Sequence, residues 1–342
     1  MAQPSPPASL DELRTLIVSL PDGDETAAAA TAAREALLTK PAGALGRLEE
    51  LSVWLARWQG RHPPRIDRPR VAVFAGNHGV AAHGVSAYPP AVTAQMVQNF
   101  IAGGAAINQL CKAVDADLRV YEMALEHPTR DFTEGSALSD EECARASAYG
   151  MMAVEPGIDL LCLGEMGIGN TASAAALCHA LYGGAAPDWV GPGTGAEGAV
   201  LVRKIEAVAS GVARNRAAMT DPFAILRCVG GHELAAIAGA VLAARLAHVP
   251  VVLDGYAATA AAAVIHEARP GALDHCIVAH RSAEPGHTRL LERLGKRPVL
   301  DLGMRLGEAS GAALAVGILR AAVACHSGMA TFAEAGISGR DS

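Results

Sequence analysis

Residues 158–176, IDLLCLGEMGIGNTASAAA, decide the fold: an unbroken apolar run and an alanine-rich stretch stand on either side of a loop made largely of Gly, Glu, Asn and Thr. Continuous rather than alternating apolar character is what a strand covered on both faces requires, and the alanine run suits a helix returning across the sheet. The same texture recurs from residue 71 onward. Short apolar runs end in glycine or acidic loops and lead into helical patterns: VAVFAGNHG from 71, LRVYEM from 118, ILRCVGGHE from 225, VPVVLDGY from 249 and CIVAHRSAEPGH from 276. With the opening run these make six candidate strands. They predict an α/β fold over about 70–300, a doubly wound, mainly parallel sheet with helices on both faces.

The chain begins differently. Ser9 followed by Glu12 ahead of an apolar-periodic run is a capping box that starts a helix over about 10–20, and further helical patterns cover 24–39 and 44–58. RHPPRIDRPR at 61–70, rich in proline and charge, breaks that pattern and marks a boundary. Residues 1–65 therefore read as a helical segment and 66–302 as the α/β unit.

Composition narrows the function classes. Of the 342 residues 51% are hydrophobic and 18% charged, below the ~25% charged of an average soluble chain, which favours extensive burial in layers or subunit contacts. The net charge of -7, with scattered Lys and Arg, offers no footprint for nucleic acid. Seven cysteines occur singly with no C-x-x-C pair, so neither a metal nor a disulfide framework is expected. The proline- and acid-bearing start MAQPSPPASLDELRTL is unlike a secretory signal. The purely apolar stretches at 234–244 and 257–265 fall short of the ~18 residues of a membrane span. A cytoplasmic protein without membrane partners is the expectation.

In a doubly wound sheet, ligands bind beyond the carboxyl ends of the strands. The loop 164–171 lies there, at a helix amino end whose N–H groups and dipole favour an anion such as phosphate. GPGTG at 191–195 is a second glycine loop ahead of a helical pattern. The first loop fails the dinucleotide fingerprint, because Asn170 and Thr171 follow GIG. Glu165 either caps the helix or meets a hydroxyl or cationic ring. Lys204 either counters an anion or sits exposed on its helix. Glu308, between glycines ahead of an apolar helix, is either a dipole-complementing carboxylate or a desolvated general base with a raised pKa. His78 and His83 lie in GNHGVAAHGVSAYPP without the spacing of a metal set, and the apolar, aromatic character there suits a flat heterocycle. His232, Asp254 and His287 sit in further glycine- or proline-bearing loops, where ligand contact and capping are both open.

Taken in order, NHGVAAHGVSAYP, TAQMV, GGAAIN, GEMGIGNT, GPGTG, LDG, SAEPGH, LDLGMRLGEASGAALA and MATFAEAGIS resemble the nicotinate-nucleotide:dimethylbenzimidazole phosphoribosyltransferase family from about residue 70 to the C-terminus. The resemblance implies a homodimer in which both chain ends, 1–65 and 303–342, form a smaller helical domain. It implies transfer of 5-phosphoribosyl from nicotinate mononucleotide to 5,6-dimethylbenzimidazole, giving α-ribazole 5'-phosphate and nicotinate for the lower ligand of cobalamin. Glu308 corresponds to the general base, with Glu165 and Lys204 as its active-site companions. Gly167, Gly169, Asn170, Thr171, Gly193, Thr194 and Gly195 would hold phosphate and ribose, and Ser86, Tyr88 and Gln95 the base. Ala309 and Ser310 replace the Gly and Thr expected after the glutamate.

The chemistry explains why no metal or other cofactor is expected. The departing nicotinate is a pyridinium whose positive charge is neutralised as its bond to C1' breaks, and there is no pyrophosphate for magnesium to offset. A phosphoribosyl-pyrophosphate enzyme would carry two adjacent acids and T-G-G-T; VPVVLDGYAAT offers one acid and lacks that loop. A silent nucleotide-binding protein of the same fold is the other alternative.

Overall fold

In the computed structural model, which describes residues 7–338, five strands form one parallel sheet. They are β1 (Pro69–Ala75), β2 (Asp117–Glu122), β3 (Leu160–Met166), β4 (Val251–Leu253) and β5 (Cys276–Val278), in the order β2-β1-β3-β4-β5. Every neighbouring pair is parallel, and Val73 stands opposite Gly164 and Ala75 opposite Met166. The alternation of side chains sends Ala72, Phe74, Leu161, Leu163, Val251 and Leu253 into one core, and Val71, Val73, Leu160, Cys162 and Val252 into the other. Two buried faces explain the unbroken apolar runs of the central strands. Edge strand β2, by contrast, consists of exposed and half-buried residues.

Five of the six predicted runs are strands. The exception is the stretch from 225, whose apolar residues belong to the helix Pro222–Val229. Asp221 caps that helix by accepting from the N–H groups of Phe223 and Ala224 (2.9 and 3.1 Å), and Pro222 takes the first helical position. A short apolar run cannot be told from a buried helix by periodicity, and here the preceding Asp-Pro start signal decides. GGHE is consequently a helix-to-helix junction, with His232–Leu246 following, and not a strand end.

The predicted N-terminal helices are present as Leu10–Val18, Glu25–Glu35 and Arg47–Gln59. The two chain ends meet: Arg34 donates to the carbonyls of His326 and Met329 (both 3.0 Å), Glu35 pairs with His326 (2.7 Å), and Leu38 bridges Thr331. Residues 1–6 and 339–342, the outer ends of the two predicted helical segments, lie outside the described residues. Helix Ser310–Gly328 has the length and composition of a membrane span, unlike the shorter runs weighed in the sequence. It lies against the second face of the sheet, burying Ala312, Ala313, Ala315, Val316 and Leu319 beside Leu51 and Leu55.

Candidate active site

The opening loop sits where the sequence places it, between the end of β3 and the helix Asn170–Tyr182. Glycine is required at both its bends. Gly169 has φ +101°, and a Cβ on Gly167 would stand 2.3 Å from the carbonyl oxygen of Gly76. Thr93 Oγ1 accepts from the Ile168 N–H (3.1 Å), fixing the loop to its neighbour. Asn170 faces both ways: its Oδ1 accepts from Thr171 N–H (2.7 Å) and its Nδ2 donates to Glu165 Oε2.

The second glycine loop precedes helix Gly198–Asn215. Lys204 on that helix is 1% exposed, which rules out the solvated alternative. Its Nζ donates to Thr171 Oγ1 and to the Gly191 carbonyl (both 2.8 Å), tying the two glycine loops together. Burial depresses its pKa to about 8, and the nearby Glu284 partly offsets that. Glu284 Oε1 accepts from Gly193 N–H (2.7 Å), and Arg305 donates to the Gly193 carbonyl (2.7 Å). The main chain of Gly193 is therefore held by protein on both sides.

Three carboxyl groups are buried at the ends of β3 and β4 and in the segment before Ser310–Gly328: Glu165, Asp254 and Glu308. Burial pushes Glu308 up to about 7, and among the described residues no donor is hydrogen-bonded to its carboxylate. Glu165 is raised to about 8, by burial first and then by the charges of Glu233 and Asp254. Asp254 rises to about 7 through burial, opposed by the N–H groups of Ala312, Gly311 and Ala309. Glu308 and Ala309 both have left-handed backbones, φ +62° and +60°. Such non-glycine residues cost on the order of 1–3 kcal/mol each and persist only where their surroundings hold them.

A cleft lies between the two glycine loops and the segment that leads to Glu308. Glu165, Gly167, Asn170, Thr171, Gly193 and Thr194 line it; Gly307, the residue before Glu308, also does so. Gly169 supplies the bend behind it and Gly195 an exposed turn at φ +117°. Ser86 reaches the rim through Thr194 (3.1 Å between hydroxyl oxygens), whereas Tyr88 and Gln95 are exposed beside it and do not line the cleft.

The histidines separate. His78 is buried between Glu233 (2.6 Å) and Ser173 (3.0 Å), while His83 pairs with Asp131 near the surface. Burial lowers the pKa of His232. His287 accepts from Ser282 N–H (2.9 Å) and meets Thr259, and burial lowers it to about 3, so it braces its loop as a neutral ring. Asp254 accepts from Ala312 N–H (3.0 Å), which resolves its open reading toward helix capping. The loop SAEPGH at 282–287, open in the sequence between substrate contact and capping, brings Ser282 and Glu284 into the cleft wall, whereas Tyr256, His280 and Arg305, also in that wall, were missed. Glu284 and Arg305 were within recognisable motifs, SAEPGH and LDLGMRLGE. For His280 the available signal was its place just beyond β5.

A family model described as Phosphoribosyltransferase matches residues 20–337. The nicotinate-nucleotide--dimethylbenzimidazole phosphoribosyltransferase of Rhizobium etli is 61% identical over 330 residues, covering 96% of this chain and 97% of the relative. The protein of the same name from Brucella canis is 58% identical over 328 residues, covering 96% and 97%. The crystal structure of CobT from Thermus thermophilus superposes with a TM-score of 0.87 at 44% identity, covering 92% of this chain and all of that one.

Proposed function

The chain belongs to the nicotinate-nucleotide:dimethylbenzimidazole phosphoribosyltransferase family, and from that premise we propose how its own residues perform the transfer. The enzyme moves 5-phosphoribosyl from nicotinate mononucleotide to 5,6-dimethylbenzimidazole, releasing nicotinate and α-ribazole 5'-phosphate for the cobalamin lower ligand. The observation that carries the assignment of roles is a cleft floored by two glycine loops that Lys204 ties together, whose wall ends at Gly307, the residue before the desolvated Glu308.

The phosphate sits at the amino end of Asn170–Tyr182, where the helix dipole, the Thr171 hydroxyl and the Lys204 charge favour an anion. Gly167, Gly169, Gly193, Thr194 and Gly195 shape the surface against phosphate and ribose. One benzimidazole nitrogen attacks C1' as the bond to the pyridinium nitrogen breaks, its electron pair passing to nicotinate. The proton on the other benzimidazole nitrogen goes to Glu308. Attack opposite the leaving ring inverts C1', and a ribose phosphate held in place makes that attack effectively intramolecular. Glu165, raised to about 8 and so largely protonated near neutrality, donates a hydrogen bond to the ribose or base. Ser86, which reaches the rim through Thr194, stands on the base side, with Tyr88 and Gln95 exposed beside it. The reaction as written needs no metal or other cofactor.

The chain ends, 1–65 and 303–342, act as the smaller helical domain of a cytoplasmic homodimer. The test is incubation of chelator-treated protein with nicotinate mononucleotide and dimethylbenzimidazole, followed by chromatography. Nicotinate and α-ribazole phosphate are both expected. Nucleotide binding with neither product, even after magnesium is restored, would overturn the reading in favour of a silent binder.

A further inference from the structure

We propose that Asp254 is a positioning residue for Glu308, holding the left-handed turn at Glu308 and Ala309 in a socket built by the ends of β3, β4 and β5. The inference rests on Glu308 being the proton acceptor. Two consecutive non-glycine residues in the left-handed region are an uncommon way to enter a helix, and such backbone reverts unless it is gripped. The grip comes from three strand ends. From β3, Gly164 lets the turn approach: a Cβ there would stand 2.1 Å from Ala309 N. One residue on, the Glu165 carbonyl accepts from Glu308 N–H (3.1 Å). Beyond β4, Asp254 Oδ1 accepts from Ala312 N–H (3.0 Å), with the N–H groups of Gly311 and Ala309 also acting on the carboxylate. Beyond β5, the His280 ring packs on the helix backbone so closely that a Cβ on Gly311 would lie 2.1 Å from its Cδ2, and its Nε2 is 3.6 Å from Asp254 Oδ1.

The usual amino-end cap is the residue just before the helix, which satisfies the first free N–H groups from its own side chain. Here that residue is Ala309, which has no such group, and helix Ser310–Gly328 takes its cap from another strand. The cap that starts the helix thus also fixes the direction of the residue just outside it, Glu308. Removing it releases the turn, so the base is lost from its place without being altered.

The experiment is steady-state kinetics of Asp254→Asn and Asp254→Ala, each with and without Ala309→Gly, beside Glu308→Gln. Asparagine keeps an acceptor for the Ala312 N–H, so its kcat falls about threefold, whereas alanine loses roughly 10- to 30-fold, as for a lost cap. KM for nicotinate mononucleotide stays within about twofold in both, because the phosphate floor is on other elements. Glycine adopts φ near +60° without strain, so Ala309→Gly restores most of the loss in the Asp254→Ala background. Equal losses for Asn and Ala, a parallel rise in KM, or no recovery with glycine would overturn the proposal. Glu308→Gln separates the two readings. An active Glu308→Gln removes the base assignment, and this inference with it. An inactive one beside a normal Asp254→Ala removes only the positioning role. If Asp254→Ala does not fold, the Asn pair carries the test: recovery on adding Ala309→Gly supports the grip, and its failure overturns it.

Discussion

The two sides of the cleft are chemically opposite. One is a donor floor: the amino end of Asn170–Tyr182, Thr171 and the buried Lys204, with Arg305 at Gly193. The other carries buried carboxyl groups: Glu165 in the cleft wall, with Asp254 and Glu308 in electrostatic reach of it, at strand ends and in the segment before the last helix. Burial pulls the ionisable groups of both sides toward neutrality, lowering the lysine and raising the acids, so Lys204 and Glu308 arrive near pH 7–8 from opposite directions. A site that binds a dianion and also takes up a proton needs both.

The contrast breaks most completely at Glu308. Glu308→Gln keeps the shape of the carboxyl cluster but cannot take the benzimidazole proton. We expect kcat to fall about 10²- to 10⁴-fold, with nicotinate mononucleotide binding retained by calorimetry. Next is the floor: Lys204→Met leaves Thr171 Oγ1 and the Gly191 carbonyl without their buried donor. Its KM for nicotinate mononucleotide should rise roughly 10- to 100-fold, more than kcat falls.

The pH profile sharpens the comparison without a mutation. Glu308 accepts a proton only when ionised, so turnover declines as pH falls through about 7. Lys204 is charged only below about 8, so nucleotide affinity declines as pH rises through that value. Activity is expected to peak between the two, with the acidic limb in kcat; the alkaline limb joins the loss of Lys204 charge, seen in KM, to the loss of the Glu165 proton. A profile flat from pH 6 to 9 would count against both assignments.

The smallest effect is on stability. Glu165 is raised from 4.5 to about 8 in the folded chain, so the folded state holds more protons than the unfolded one between those values. Its contribution is fully favourable below about 4.5 and is lost as pH rises to 8. Glu165→Gln removes that dependence, and its melting temperature relative to the parent should climb by a few degrees between pH 5 and pH 8. An unchanged difference would mean that the carboxylate is already ionised when folded.

How much of this was readable from the chain depends on the range of the interactions. The strands and helices followed from local patterns, with the one exception at 225–229, where a helix cap outweighed an apolar run. The loop 164–171 was placed correctly because a strand, glycines and a helix adjoin in sequence. The carboxylates were singled out by their motifs and the family resemblance. Lys204 could not be settled from its helix: its burial is imposed by Gly191 and Thr171, which approach from two other segments. The pairing of His78 with Glu233 likewise joins loops far apart along the chain.

The sequence by itself determined the α/β class, the glycine loops at strand ends and the residue types able to bind an anion and accept a proton, because propensity, periodicity and capping act over a few residues. Only the tertiary structure decided which of these groups are desolvated and which way they point. The left-handed turn at Glu308, gripped by Gly164, Asp254 and His280 at or just beyond the ends of three strands, is the clearest case, since no local signal favours that backbone at a glutamate and an alanine. Burial and long-range packing set the charge and direction of the site, and neither exists until the strands lie side by side.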